Sequence, residues 1–268
     1  MRIITAPTVT KLPPEAAGQV LVTGSHGGLY VGMLAAQAGV RALIVHDAGV
    51  GMASAGVASL GMLGGFGVAA AAVSHLSARV GDTADMMERG VISRANSVAE
   101  ALGVTRAMPV REAAELMLAA PLRTASPEPV EEARAVLRPE GAVRNLVLID
   151  SASLVLPEDA GAVVVTGSHG GLVGGDPAMA LRAPGFAAAF NDAGIGIEQA
   201  GIGRLAALEA RGIAAITVAA MSARIGEARS TFEDGVISAA NPTAVRLGAI
   251  VGNAAKALLL DWTHKETT

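Results

Sequence analysis

The segment Val-Thr-Gly-Ser-His-Gly-Gly-Leu stands at Val22–Leu29 and again at Val165–Leu172. Its surroundings repeat as well. Asp47-Ala-Gly-x-Gly51 answers Asp192-Ala-Gly-x-Gly196, Ser77-Ala-Arg-x-Gly81 answers Ser222-Ala-Arg-x-Gly226, and Gly90-Val-Ile-Ser-x-Ala-Asn96 answers Gly235-Val-Ile-Ser-x-Ala-Asn241. The copies are 143 residues apart at the first block (Thr23 to Thr166) and 145 at the others (Asp47 to Asp192), so the second carries a two-residue insertion. A chain built this way is expected to fold as two like halves related by a pseudo-two-fold axis. The blocks divide it into a first repeat over 1–104, a helical connector over 105–144 and a second repeat over 145–268.

Each half alternates apolar β-branched runs with helical stretches, the signature of βαβ units and a mostly parallel sheet. The expected strands are Arg2–Thr5, Val20–Thr23, Ala42–Val45 and Val68–Val73, answered by Leu146–Ile149, Val163–Thr166, Ala187–Phe190 and Ile213–Val218. These runs are apolar throughout, as suits strands covered on both faces. Helices are expected between the first two blocks of each half, near Ser54–Phe66 and Gln199–Arg211, and after Asn96 and Asn241. Within the connector, Arg111–Ala119 and Val130–Leu137 read as short helices. Ala48–Val73 is uncharged and long enough to span a bilayer. Its aligned partner carries Glu198, Arg204, Glu209 and Arg211, so a buried helix is expected instead. That helix lacks a polar face, and a subunit contact is the simplest cover.

Composition removes several functions. There is no Cys, which excludes disulfides, thiolate catalysis, Cys-ligated metals and Cys-pair racemases. A net charge of −4 and 2% aromatics give neither the basic stripe nor the stacking platforms of a nucleic-acid binder. The first residues hold too short an apolar run for a signal peptide, so a cytoplasmic homo-oligomer without membrane or nucleic-acid partners is expected.

All three polar blocks fall just past strand ends, where open α/β sheets bind ligands. The Gly-rich loop, with Gly24, Gly27 and Gly28 in one copy and Gly167, Gly170 and Gly171 in the other, offers backbone N–H groups to an anion. It is neither a dinucleotide fingerprint nor a P-loop. It lies one residue from a G-x-S-x-G nucleophile elbow, but only His264 follows His169 in the chain. His26 and His169 are candidate proton-transfer groups, Ser25 and Ser168 candidate nucleophiles or donors, and Asp47 and Asp192 candidates to orient the imidazoles. Arg79 and Arg224 suit an anionic substrate, aided by Ser77 and Ser222, against a bland reading as ion pairs with Asp82 and Glu227. Asn96 and Asn241 fit helix caps that aim toward the same region.

The copies differ at His46 (Asn191), Ala53 (Glu198), His75 (Ala220) and Asp82 (Glu227), which favours one composite site or one degenerate copy over two equal sites. The resulting expectation is an enzyme acting on a small carboxylate, amide or ring compound by His-mediated proton transfer without an organic cofactor. Hydrolysis leads because Ser and His are adjacent. A lyase or isomerase of a small carboxylate and a non-catalytic anion-binding protein are the alternatives. A divalent metal is a minor possibility, as no paired ligand spacing supports one.

Overall fold

The computed structural model describes residues 1–266, so the last two positions of the second repeat lie outside the described residues. The chain forms a mixed α/β structure with two sheets and interleaved helices. In the first half the order is β1 (Ile3–Ala6), β2 (Val20–His26), α1 (Leu29–Gln37), β3 (Ala42–His46), α2 (Ala58–Gly65), β4 (Ala69–Val73), α3 (Thr83–Arg89), β5 (Ile92–Ala95) and α4 (Ser97–Ala101). After α5 (Val110–Met117) and β6 (Arg134–Leu137) come β7 (Leu146–Ile149), β8 (Val163–His169), β9 (Ala187–Asn191), α6 (Gly203–Glu209), β10 (Ala214–Val218), α7 (Ala228–Glu233), β11 (Ile237–Ala240), α8 (Pro242–Arg246) and α9 (Ala255–His264). Strands β1 to β4 lie side by side in sequence order and parallel, and β5 closes the edge antiparallel. Strands β7 to β11 repeat that arrangement.

The apolar runs are explained by two-sided burial. In β2 and β3, Val20, Val22, Ala42 and Ile44 pack on one face with Met86 and Met117, while Leu21, Leu43 and Val45 pack on the other with Leu60 and Leu63. Each fully buried Leu or Val contributes about 1.5–3 kcal/mol. Strand β4 is Ala69–Ala72 followed by Val73, which contributes less per residue but lets its covering elements approach closely. Among the described residues no helix is long and apolar enough to cross a membrane. The outward positions of α2 include Gly61 and Gly65, and Met62 tucks against Gly32 of α1, so much of its apolar surface is met within the chain.

Three expectations about elements change. Val130–Leu137 is not a helix: residues 134–137 form β6, which pairs antiparallel with β7 and covers that sheet edge. Arg134 fastens it with two hydrogen bonds to the Asp159 carboxylate, at 2.7 and 3.1 Å. No helix equivalent to α1 follows the second Gly-rich loop. Gly174 and Gly175 take φ of +62° and +73°, Pro177 follows, and only short 3-10 turns form over Val173–Gly175 and Pro177–Ala180. The helices expected from Ser54 and Gln199 start later, at Ala58 and Gly203, because Ala53, Ser54, Glu198 and Gln199 are left-handed.

The halves meet through the Asp-Ala-Gly loops. Ala48, Gly49, Val50 and Gly51 have φ of +47°, +73°, +63° and +72°, and Ala193 to Gly196 have +50°, +76°, +62° and +73°. Such values are rare for β-branched residues. Contacts across the junction come in matching pairs. Met52 N donates to Ala220 O and Ile197 N donates to His75 O, both at 2.8 Å. Gly49 and Gly194 touch each other: a Cβ on either would sit 2.8 Å from the other's Cα.

Gly49→Ala is therefore expected to lose about 2 kcal/mol or more, combining a left-handed penalty with the collision at Gly194. Gly61→Ala, in helix α2 with nothing nearby to strike, is expected to gain about 0.5–1 kcal/mol. Urea denaturation of the two variants checks both signs.

Candidate functional site

Strand β2 leaves β3 after Val22 and rejoins it at His26, opposite His46. Strand β8 does the same between Val165 and His169. The irregular Gly-Ser steps carry both imidazoles toward the other half. His26 Cε1 comes near Gly226 and His169 Cε1 near Gly81, the glycines that close the two Ser-Ala-Arg blocks. A cavity of about 710 Å³ opens there. Ser25, His26, Ser168, His169 and Arg224 line it, with Tyr30, Glu132, Asp150, Arg182 and Arg204.

Both cavity imidazoles are neutral near pH 7. Burial, with the neighbouring His46, pulls His26 down to about 4. Burial, with Arg204, His26 and His46 nearby, pulls His169 well below the ordinary value. Their hydrogen bonding differs. Gly28 N donates to His26 Nδ1 at 3.1 Å, so the neutral ring carries its hydrogen on Nε2. His169 Nδ1 is buried and has no hydrogen-bond partner among the described residues.

The serines do not reach the imidazoles. Val9 N donates to Ser25 Oγ at 3.1 Å and Ala152 N to Ser168 Oγ at 2.9 Å, and neither hydroxyl bonds the adjacent His. Nor are the aspartates beside them. Asp47 Oδ1 accepts from Gly49 N, His75 N and His75 Nδ1 at 2.9–3.1 Å. Burial works against its charge, yet the His75 hydrogen bond and His46 hold its carboxyl below the usual range. Asp192 Oδ1 accepts from Gly194 N and Ala220 N, both at 2.8 Å. Both carboxylates fasten the left-handed loops. The Gly-rich loops are also partly engaged: Gly27 N donates to His46 O and Gly56 O, Gly170 N to Asn191 O, and Gly28 N to His26. Gly24 and Gly167 pack against the backbone at Gly81 and Gly226, and Gly171 against Val80.

Arg79 stays out of the cavity lining. It binds Asp85 at 3.0 Å and Asp82 at 3.2 Å, and approaches Glu198 of the other half at 3.6 Å. Arg89 completes the cluster through Asp85 and Glu198 at 2.8 and 2.7 Å. This accounts for Glu198 where the first half has Ala53. In the second half Ser230 replaces Asp85, and Arg224 pairs with Glu227 at 2.8 Å while lining the cavity. Ser77 and Ser222 tie their own loops, donating to Ser74 O and Ala219 O and accepting from Val91 N and Val236 N. Asn96 and Asn241 cap α4 and α8. Each side chain also accepts from a strand N–H and donates to two carbonyls.

His46 and Asn191 do one job with different chemistry. His46 Nδ1 accepts from Ala48 N at 3.1 Å and Nε2 donates to Ala78 O at 3.0 Å. Asn191 accepts from Ala193 N at 2.9 Å and donates to Ala223 O at 3.0 Å. Both span the same two loops within their own half.

Arg204 has no counterpart among the sequence candidates. It is 3% exposed, and burial pulls its guanidinium down to about 10, so it is charged near neutrality. The signal available was its alignment with Ser59, which puts a charge on the buried face of a helix whose other charge, Glu209, lies at its end. Among the described residues no group of three His, Asp or Glu is placed to hold a metal ion. Comparison of the chain with protein-family models, with curated proteins and with solved structures found no match.

Two outcomes follow from this geometry. A His whose folded pKa is depressed stabilises fully above its unfolded value near 6.5 and loses that stability as pH falls toward the folded value. Stability is thus expected to decline from pH 6.5 toward 4, by at most about 1.4 kcal/mol per pH unit for each imidazole, and His26→Gln flattens that slope. Urea midpoints between pH 4 and 7 measure it. His46→Asn should stay within about 1 kcal/mol of the parent, whereas His46→Leu, which strands Ala48 N–H and Ala78 O, loses about 2 kcal/mol or more in the same assay at pH 7.

Proposed function

We propose that the cleft between the halves is the single active site of an enzyme that moves a proton on a small carboxylate, as an isomerase or lyase. In this reading the halves are related by an approximate two-fold axis through the Gly49–Gly194 contact, and the site is composite. The observation that carries the reading is the pair of desolvated imidazoles, one from each half, lining one cavity with unlike hydrogen-bond states. Neutral imidazole is a competent base near neutrality, and a neutral Nε2–H is a competent donor to developing negative charge.

His169 is the base. Among the described residues no donor is bonded to its Nδ1. The substrate C–H bond breaks, the proton passes to His169, and the electron pair moves onto the adjoining carboxyl oxygen. His26, held by Gly28 as the Nε2–H tautomer, donates a hydrogen bond to that charge. Return of a proton to the opposite face of the same carbon completes an isomerisation, and loss of a leaving group with its electron pair from the adjacent carbon completes an elimination. Hydrolysis through a serine nucleophile is less well supported, because Ser25 and Ser168 accept backbone hydrogen bonds and neither meets an imidazole.

The test is deuterium incorporation from heavy water into small carboxylic acids, followed by proton NMR. Exchange next to the carboxylate is expected with the parent protein. His169→Gln should slow it by about 10²-fold or more, and His26→Gln by a similar order. Undiminished exchange in both variants overturns the reading.

A further inference from the structure

We propose that Arg204 is the carboxylate anchor of this cleft, so that the substrate binds in one orientation with its anionic group against the second half and beside His169. The inference rests on the cleft being a substrate site, and its test is independent of turnover.

Arg204 lines the cavity but makes no ion pair among the described residues. Its Nε donates to Gly171 O at 3.0 Å, and its Nη1 donates to Met179 O at 3.1 Å and Ala180 O at 2.5 Å. The guanidinium stands 5.0 Å from the centre of the Phe190 ring. These groups orient the fork and contribute partial charge, but no counter-charge. Nη2 has no protein hydrogen-bond partner among the described residues. Burying a cation without an anion is costly, and such a group is retained where a ligand supplies the missing charge.

The other cleft cations are placed differently. Arg224 is paired with Glu227, Arg182 donates to Ser153 O at the surface, and Lys11 is exposed at the rim. The buried histidine at Arg204's side, His169, also has an unanswered nitrogen. The matching slot of the first half holds Ser59. The backbones agree, Ser59 N donating to Gly27 O at 2.9 Å and Arg204 N to Gly170 O at 2.7 Å. One half thus has the anchor and the other lacks it. Carboxylate fits better than phosphate: Arg204 has one unengaged nitrogen, while loop N–H groups that would cradle a phosphate are engaged at Gly27, Gly28 and Gly170. In the proton-transfer step Arg204 would hold one carboxylate oxygen while His26 donates to the other.

The experiment titrates sodium propionate and inorganic phosphate separately into the intact protein by calorimetry, with the parent, Arg204→Ser, Arg204→Lys and Gly61→Ala. Propionate is expected to bind the parent more tightly than phosphate does. Arg204→Ser, which installs the first-half residue, should weaken propionate at least tenfold, with Arg204→Lys in between and Gly61→Ala, away from the cavity, near the parent. A second readout covers a serine variant that fails to fold: in the parent, propionate neutralises the Arg204 field and should raise the His169 titration midpoint by NMR, while exposed His264 stays put. Propionate affinity unchanged in Arg204→Ser, phosphate binding as tightly as propionate, or no effect on His169 overturns the anchor. Propionate binding through Arg204 without any exchange chemistry overturns the proton-transfer reading alone.

Discussion

The Gly49–Gly194 contact, with left-handed backbone on either side of it, is the constraint from which the rest of the architecture follows. Runs of four positive φ values that include Val50 and Ile195 are unfavourable in isolation, and they persist because neighbouring groups over-determine them. Asp47 and Asp192 each accept two or more hydrogen bonds at the loop, and Met52 and Ile197 each donate across the junction. The aspartates therefore act on the site from a distance. They fix the loops that join the halves, and the joined halves bring His26 against Gly226 and His169 against Gly81.

At that junction the two copies keep matching contacts, whereas around the cleft they diverge. His46 and Asn191 show that divergence need not alter the local structure, since an imidazole and an amide span the same pair of backbone groups. The Arg79–Asp85–Arg89 cluster and its second-half equivalent differ in consequence. With Asp85 and Glu198 beside it, Arg79 is absorbed into a network that crosses the junction, while Ser230 leaves Arg224 at the cavity with only Glu227. Loss of a helix after His169 has a similar effect. The turns that replace α1 expose carbonyls at Met179 and Ala180, and Arg204 fills the space beneath them.

The parallel strands were legible because apolar β-branched runs buried on both faces have few alternatives. The antiparallel edge strands β5 and β11 were not assigned from the sequence, although Gly-Val-Ile-Ser repeats in both halves, since such short runs carry little periodicity. Strand β6 was missed for a different reason: helix-favouring residues around Glu131–Arg134 yield to the open edge of β7, a tertiary effect. Of the site candidates, the histidine and serine pairs and Arg224 lie at one cavity. Arg79, the aspartates, the asparagines and Ser77 and Ser222 hold loops and caps. Repetition cannot separate those classes, because a residue needed to shape a loop recurs in both copies as surely as one that would face a ligand.

The most telling position is instead one where the repeat is broken. Arg204 replaces Ser59 on matching backbone, and it introduces a buried charge that the surrounding carbonyls orient without neutralising. A symmetric cleft would present like groups to both ends of a ligand and leave its orientation undetermined. In the proposed reading, one cation on one side removes that ambiguity. The two imidazoles at matching positions also differ in hydrogen bonding: among the described residues the one beside the charge has no partner at Nδ1, and Gly28 N donates to Nδ1 of the other. The like loops thus place both imidazoles at one cavity, and the groups around them differ.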